Sequence, residues 1–397
     1  MVPFERIVMF LDVYVVKKTL ISCLFGYSTT SQAPRFVAAL IHICSSEMAS
    51  QLSLESTLPT NLPAEFIKEI TGNFSPKLEL GRSVFGTVYK GVLPEGGMIA
   101  VKRLTENAPV PPGIAFETKV MNLMPLQHEN IVQLLSFCNE AQRKLVQHNG
   151  KYVFVGVTER CLCYKYPPKG SLDKHLYADT MSINWQTRFE IIKGICRGLH
   201  HLHKECKGTL VHMNLTPKSI WLDDNWVPKI ADFGVSRFFR QEQTQMHITN
   251  VMGHNGYIAP EYLYRGEIST MLDIYSLGML ILEITTGEKN SSSFEDRSAR
   301  QFVDNVYQNW RTDEQIINKY QDKRLTNGLQ IDPNDLRQVK TCIAVGLKCV
   351  ELDRNERPSI VDIVSMLSGK LVSVFDKQTS SSQHGRTFQG EIDVQNL

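Results

Sequence analysis

The sequence predicts an α+β protein of two unequal lobes: a small one built on an antiparallel sheet with one main helix, and a larger, mainly helical one. Three observations predict it. Short strand-like runs joined by tight turns crowd residues 75–166, long amphipathic helical runs fill residues 167–370, and the change falls at Pro167-Pro168. A strand-rich piece followed by a helix-rich piece leaves a cleft between them, the usual place for a ligand.

Residues 1–60 are the least regular. Ile7 to Val16 is apolar but interrupted by Asp12 and followed by Lys17 and Lys18, about half of the roughly 20 residues a membrane-spanning helix needs. Asp12 also argues against a cleaved leader, whose apolar core it would break. Phe36 to Cys44 is shorter still, and Ser, Thr and Gln dominate from Ser28 to Thr60. A poorly ordered segment without a membrane span is expected here, with Met48 a candidate natural start.

A lead-in stretch, residues 61–74, carries a short amphipathic helix from Pro63 to Ile70 with its proline in the first turn. Strands are expected over Leu78 to Gly81, Val84 to Val92 and Met98 to Arg103, the last two joined by the turn Pro94 to Gly97. A helix from Ile114 to Leu126 follows, then strands at Ile131 to Phe137 and Cys161 to Tyr166. Between them Asn149-Gly150 marks the turn of an additional hairpin. In the second lobe the expected helices are Trp185 to His203, Ser269 to Thr286, Leu336 to Val350 and Ser359 to Leu367. Residues 371–397 read as a flexible polar tail.

Composition excludes some functions. With 43 Lys and Arg against 41 Asp and Glu, the net charge of +2 gives no field for nucleic acid. The nine cysteines are scattered without disulfide or zinc spacing, which fits a reducing cytosol. Cys161 and Cys163 share one face of a strand and are read as core thiols. His200, His201 and His203 end a helix where cationic side chains suit the C-terminal dipole, so a metal site is not expected there.

Chemistry is carried by a series in fixed order. Gly81-Arg82-Ser83-Val84-Phe85-Gly86-Thr87-Val88 lies between two strands, which speaks against a dinucleotide or Walker loop. Ile99-Ala100-Val101-Lys102 is an alternating strand with one amine pointing inward. Asp232-Phe233-Gly234 and Ala259-Pro260-Glu261 follow. A lone lysine at a strand end is ordinary surface; all four motifs in order are not. The series resembles the eukaryotic protein-kinase family over about residues 75–370. Asn73-Phe74-Ser75, Val88-Tyr89-Lys90-Gly91 and Gly170-Ser171-Leu172 are similar to plant receptor-like Ser/Thr kinases, and the Gln147 to Val157 insertion to a subgroup found in grasses.

The resemblance implies ATP and Mg²⁺ as ligands. The glycine-rich loop, through Gly81, Ser83, Gly86 and Val88, would close over the phosphates, Lys102 would pair the α- and β-phosphates, and Ala100 with Tyr164 would wall the adenine pocket. Asp232 would hold magnesium, Asp273 would anchor the catalytic loop, and Glu261 and Arg357 would form a structural ion pair.

The reacting centre departs from the pattern. His212-Met213-Asn214 places an amide where the resemblance implies the proton-accepting carboxylate, and Ser219 stands at the second magnesium position. Thr216 replaces the lysine that would neutralise the transferring phosphoryl group. Lys119 aligns with the glutamate that would pair Lys102, so two ammonium groups should repel and displace that helix, and Glu117 is about 200° away around it. Met213 removes the arginine that would read loop phosphorylation at Thr244 or Thr249. The resembled plant group often lacks that arginine, and His254 stands where the family usually has a threonine.

The expectation is a kinase-like domain that binds ATP with one ion or none, is defective in phosphotransfer, and acts as scaffold or allosteric regulator of partner kinases or receptor complexes. It would work in the cytoplasm or at the inner face of the plasma membrane. The alternatives are a weakly active protein Ser/Thr kinase and a decayed copy without a selected role.

Overall fold

The structure is a computed structural model that describes residues 60–83, 85–105, 116–148, 150–177, 183–239, 245–248, 251–254, 256–290, 297–322 and 331–369. The expected N-terminal segment, the tail, Asn149, Thr244 and Thr249 lie outside the described residues.

The small lobe runs β1 (Thr60–Asn61), α1 (Ala64–Ile70), β2 (Glu79–Ser83), β3 (Gly86–Val92), β4 (Met98–Leu104), α2 (Phe116–Leu123), β5 (Leu134–His148) and β6 (Lys151–Lys165). Its strands form one sheet in the order β1-β5-β6-β4-β3-β2, antiparallel except where β1 joins β5. The two-residue period of β4 and β6 sends alternate side chains to different cores. Ala100, Leu162 and Tyr164 belong to the large core shared with the second lobe. Val101, Cys161 and Cys163 pack on the other face beneath Phe66, Ile67 and Ile70 of α1. Burial pushes the Cys163 thiol up to about 12, as suits a packing residue.

One expectation changes here. The two strands and the inserted hairpin are not separate elements: β5 and β6 each run 15 residues and pair from Leu134↔Tyr164 to His148↔Lys151. Antiparallel pairing needs only a kept register, and the one irregularity falls at its base, between Leu134 and Ser136.

The large lobe runs β7 (Gly170–Ser171), α3 (Asp173–Leu176), α4 (Trp185–His200), β8 (Thr209–Val211), β9 (Ile220–Leu222), β10 (Pro228–Ile230), β11 (Arg237–Phe239), β12 (Met246–His247), α5 (Pro260–Arg265), β13 (Glu267–Ile268), α6 (Thr270–Thr286), α7 (Arg297–Asn309), α8 (Asp313–Asp322), α9 (Pro333–Cys349) and α10 (Ile360–Leu367). Helix α4 begins where the Asn184 side chain accepts from Thr187 N at 2.9 Å. It stops at His200 rather than His203, because the next five residues form a π-helical turn. Helix α6 is nearly all buried, capped by Ser269 and ended by Gly287 at φ 64°. No described helix is long and apolar enough to cross a membrane.

Candidate active site

Strand β8 pairs with β11, and the β9–β10 hairpin returns the chain to Asp232, so the loop after β8 and the Asp-Phe-Gly turn lie side by side. What fixes the loop is Asp273, in the first turn of α6 and fully buried. Its carboxylate accepts from His212 N and Met213 N, each at 2.7 Å, and meets His203 Nε2 at 2.8 Å. Three donors are what a buried charge requires. His203 is therefore part of this anchor, a role its place in the His cluster did not reveal. His212 Nε2 donates to the Ala231 carbonyl at 2.8 Å, which leaves Nδ1 to accept from Asn214 N at 3.2 Å. Met213 and Asp232 both hold φ 66°, a left-handed backbone that this network over-determines.

At the reacting centre, Lys102 forms an ion pair with Asp232 Oδ1. Burial alone would raise the Asp232 carboxyl, but the Lys102 ammonium outweighs it and holds the carboxyl below its usual range. Asp232 Oδ2 accepts from the Asn214 side-chain amide at 3.0 Å. Asn214 Oδ1 lies 2.8 Å from His254 Nδ1. Because an amide oxygen only accepts, His254 carries its proton on Nδ1 and keeps Nε2 as a lone pair. Burial lowers the His254 pKa, so the neutral ring prevails at neutral pH.

Ser219, at the expected second-metal position, is buried and committed elsewhere. Its hydroxyl accepts from Thr216 N and donates to Thr216 O, both at 2.9 Å, locking the short turn Pro217–Ser219. Thr216 lines the cleft but has no charge to offer a phosphoryl group.

The cleft between the lobes measures about 370 Å³ and is lined by Gly81, Ser83, Val88, Lys102, Tyr164 and Asp232, among others. Two expected members stand behind the wall. Ala100 is fully buried in the shared core. Gly86, at φ 152°, is needed for close approach to β4, since a Cβ there would fall 2.2 Å from the Arg103 carbonyl oxygen. Ser83 turns its hydroxyl back on its own loop, accepting from Phe85 N and donating to Gly86 O at 3.3 Å. Phe85 folds down until a Cβ added at Gly234 would lie 2.8 Å from its ring. The tip of the glycine loop thus rests on the Asp-Phe-Gly turn. Trp221 also lines the cleft and meets Tyr164 edge to face at 5.9 Å, a wall that no local motif announced.

Helix α2 is not swung clear of the site. Lys119 Nζ donates to the Gly234 carbonyl at 2.7 Å. Burial first, and then the Lys102 charge, lowers its pKa to about 8. Glu117 is exposed and accepts from Asn139 Nδ2 at 2.7 Å, so it offers Lys102 nothing. In the large lobe Arg357 and Glu261 form the expected bidentate pair, at 2.6 and 2.8 Å. Among the described residues no group of three His, Cys, Asp or Glu side chains is arranged to hold a metal.

Comparison with known proteins agrees with this frame. The protein kinase domain model matches residues 74–367. The chain is 36% identical over 303 residues to the G-type lectin S-receptor-like serine/threonine-protein kinase SD1-13 of Arabidopsis thaliana, covering 76% of this chain and 34% of that protein. To cysteine-rich receptor-like protein kinase 26 of the same plant it is 36% identical over 311 residues, 78% of this chain and 44% of that protein. To cysteine-rich receptor-like protein kinase 8 it is 34% identical over 374 residues, 92% and 50% respectively. It thus spans half or less of these curated relatives. With its lysine strand, Asp-Phe-Gly turn and anchored loop in their expected places, the chain belongs to the protein kinase family, and its relatives are plant receptor-like kinases.

Proposed function

We propose that this chain is a nucleotide-binding, kinase-shaped regulator of receptor-like type whose own phosphotransfer is severely impaired. The observation that carries the reading is Asn214: it stands at the base position, has no basic form near neutral pH, and spends both polar atoms on Asp232 and His254. Loss of a general base costs about 10² to 10⁴ in rate. Thr216 removes a further electrostatic contribution.

The donor set fits a nucleotide with one ion. Asp232 is a suitable hard-oxygen ligand, and Lys102 is free to exchange it for a phosphate. A second ion does not fit, because Ser219 is engaged with Thr216. A bound Mg²⁺ would neutralise phosphate charge. Lys102, Lys119 and the loop around Ser83 would orient the triphosphate, which also screens the two lysines from each other. Partner kinases or receptor complexes, in keeping with the receptor-like names of the relatives, would receive the resulting change in shape.

A second reading, a weak Ser/Thr kinase, is favoured by His254, which lines the cleft and keeps an Nε2 lone pair because its Nδ1 is bonded to Asn214. It could accept the substrate hydroxyl proton in place of the missing carboxylate.

Two measurements test the proposal. Thermal unfolding with ATP and Mg²⁺ should shift upward, by an amount equivalent to about 2.7 kcal/mol at a hundredfold excess over Kd, and Lys102→Met with Asp232→Asn should abolish the shift. Radiometric phosphotransfer should stay near background. No thermal shift leaves only a nucleotide-independent scaffold, and turnover at ordinary kinase rates sinks the reading.

A further inference from the structure

We infer that the protruding β5–β6 ribbon is a docking surface for an anionic lipid bilayer. β1 reaches β5 only at Ser136 and Phe137, and β4 reaches β6 only over Cys161 to Lys165. Past these neighbours the two strands run on with only each other as strand partners among the described residues. A two-stranded ribbon is marginal on its own, and this one exposes large apolar side chains on both faces. Leu145 opposes Phe154 on one face, with Tyr152 beside them, and these three are 55%, 73% and 70% exposed. Val153 and Val155 stand on the other, each 41% exposed.

Charge selects the occupant. From Ala141 to Thr158 the sequence has Arg143, Lys144 and Lys151 and no Asp or Glu. The carboxylates that flank this run in sequence are engaged at the base: Glu140 accepts from Ala64 N at 2.8 Å, and Glu159 is bidentate with Arg103 at 2.6 and 2.9 Å. A second copy would bring like charges edge to edge, the arrangement that blocks sheet extension. Aromatic, aliphatic and cationic side chains interleaved at a tip match an interface of acyl chains under anionic headgroups. Reach agrees. Arg143 to His148 spans about 20 Å at 3.3 Å per residue, enough to seat the tip among headgroups and short of the ~30 Å core, which an open-edged ribbon could not cross.

The reading does not depend on nucleotide or turnover, so its test is separate from theirs. The full chain is floated with vesicles of phosphatidylcholine alone and of phosphatidylcholine with phosphatidylserine, at low and high salt. Binding is expected on the anionic vesicles only, weakening with salt, and roughly thirty-fold lower in Arg143→Ala with Lys151→Ala. Tyr152→Ser with Phe154→Ser should also release it, while the unfolding temperature of both variants stays at the wild-type value. Four results overturn the inference: no vesicle binding, equal binding to neutral vesicles, binding that survives both double variants, or concentration-dependent dimers that Tyr152→Ser with Phe154→Ser abolishes.

Discussion

The Asn214 amide donates to Asp232 Oδ2 at 3.0 Å, so the residue in the base position is bonded to the carboxylate that would carry the metal. In an active arrangement two carboxylates here repel and need a cation between them. The amide removes that need. Lys102 is then left as the charge partner of Asp232.

Restoring the side chains should restore chemistry in part. Asn214→Asp, Thr216→Lys and Ser219→Asn together are expected to raise phosphotransfer by about 10² to 10⁴ over the wild type. Asn214→Asp alone should do less, since it sets two carboxylates together without the added lysine. If the triple variant stays at background and Lys119→Glu then rescues it, α2 is the deeper block.

Residual turnover in the wild type should follow the His254 imidazole. Its pKa is lowered by burial, so the rate should rise with pH through the range below 6.5 and level off before neutrality. His254→Ala should remove that dependence along with the turnover, as a pH–rate profile would show.

Lys119 should cost stability at neutral pH. Burial and the Lys102 charge hold its folded pKa at about 8, against an ordinary lysine value of 10.5, so between these values the unfolded chain holds more protons and stability rises with pH. Lys119→Met should therefore stabilise by about 2 kcal/mol at pH 7, the shift less the hydrogen bond it forfeits. The advantage should shrink toward pH 10. Urea unfolding at the two pH values checks it.

The two glycines of the loop should behave oppositely. Gly86→Ala meets the Arg103 carbonyl at a φ only glycine adopts easily, a loss on the order of 2 kcal/mol without any nucleotide. Gly81 has nothing within 4 Å of an added Cβ, so Gly81→Ala should stay within about 0.5 kcal/mol. Denaturation midpoints separate the cases.

Much of this was legible in the chain. Period-two alternation located β3 and β4, helical periodicity located α4, α6, α9 and α10, and four motifs in order located Lys102, Asp232 and the loop. Helix α7 was missed although its signal was present: Phe302 and Val306 within it, and Trp310 just past its end, recur every fourth residue and are buried. Contacts that join distant segments left no local trace. The seat of Phe85 on Gly234 and the bond from His254 to Asn214 depend on how the lobes and loops meet, which no run of ten residues encodes. The length of β5 and β6 was hidden for another reason, since a ribbon exposed on both faces lacks the inside–outside contrast that marks a half-buried strand.

Asp273 grips the main chain of the catalytic loop and none of its side chains. The loop's shape is thus indifferent to what positions 213, 214 and 216 display. Side chains can be exchanged there like type set in a fixed frame, so catalytic groups could be lost from such a loop, or put back by a designer, without dismantling the fold that carries it.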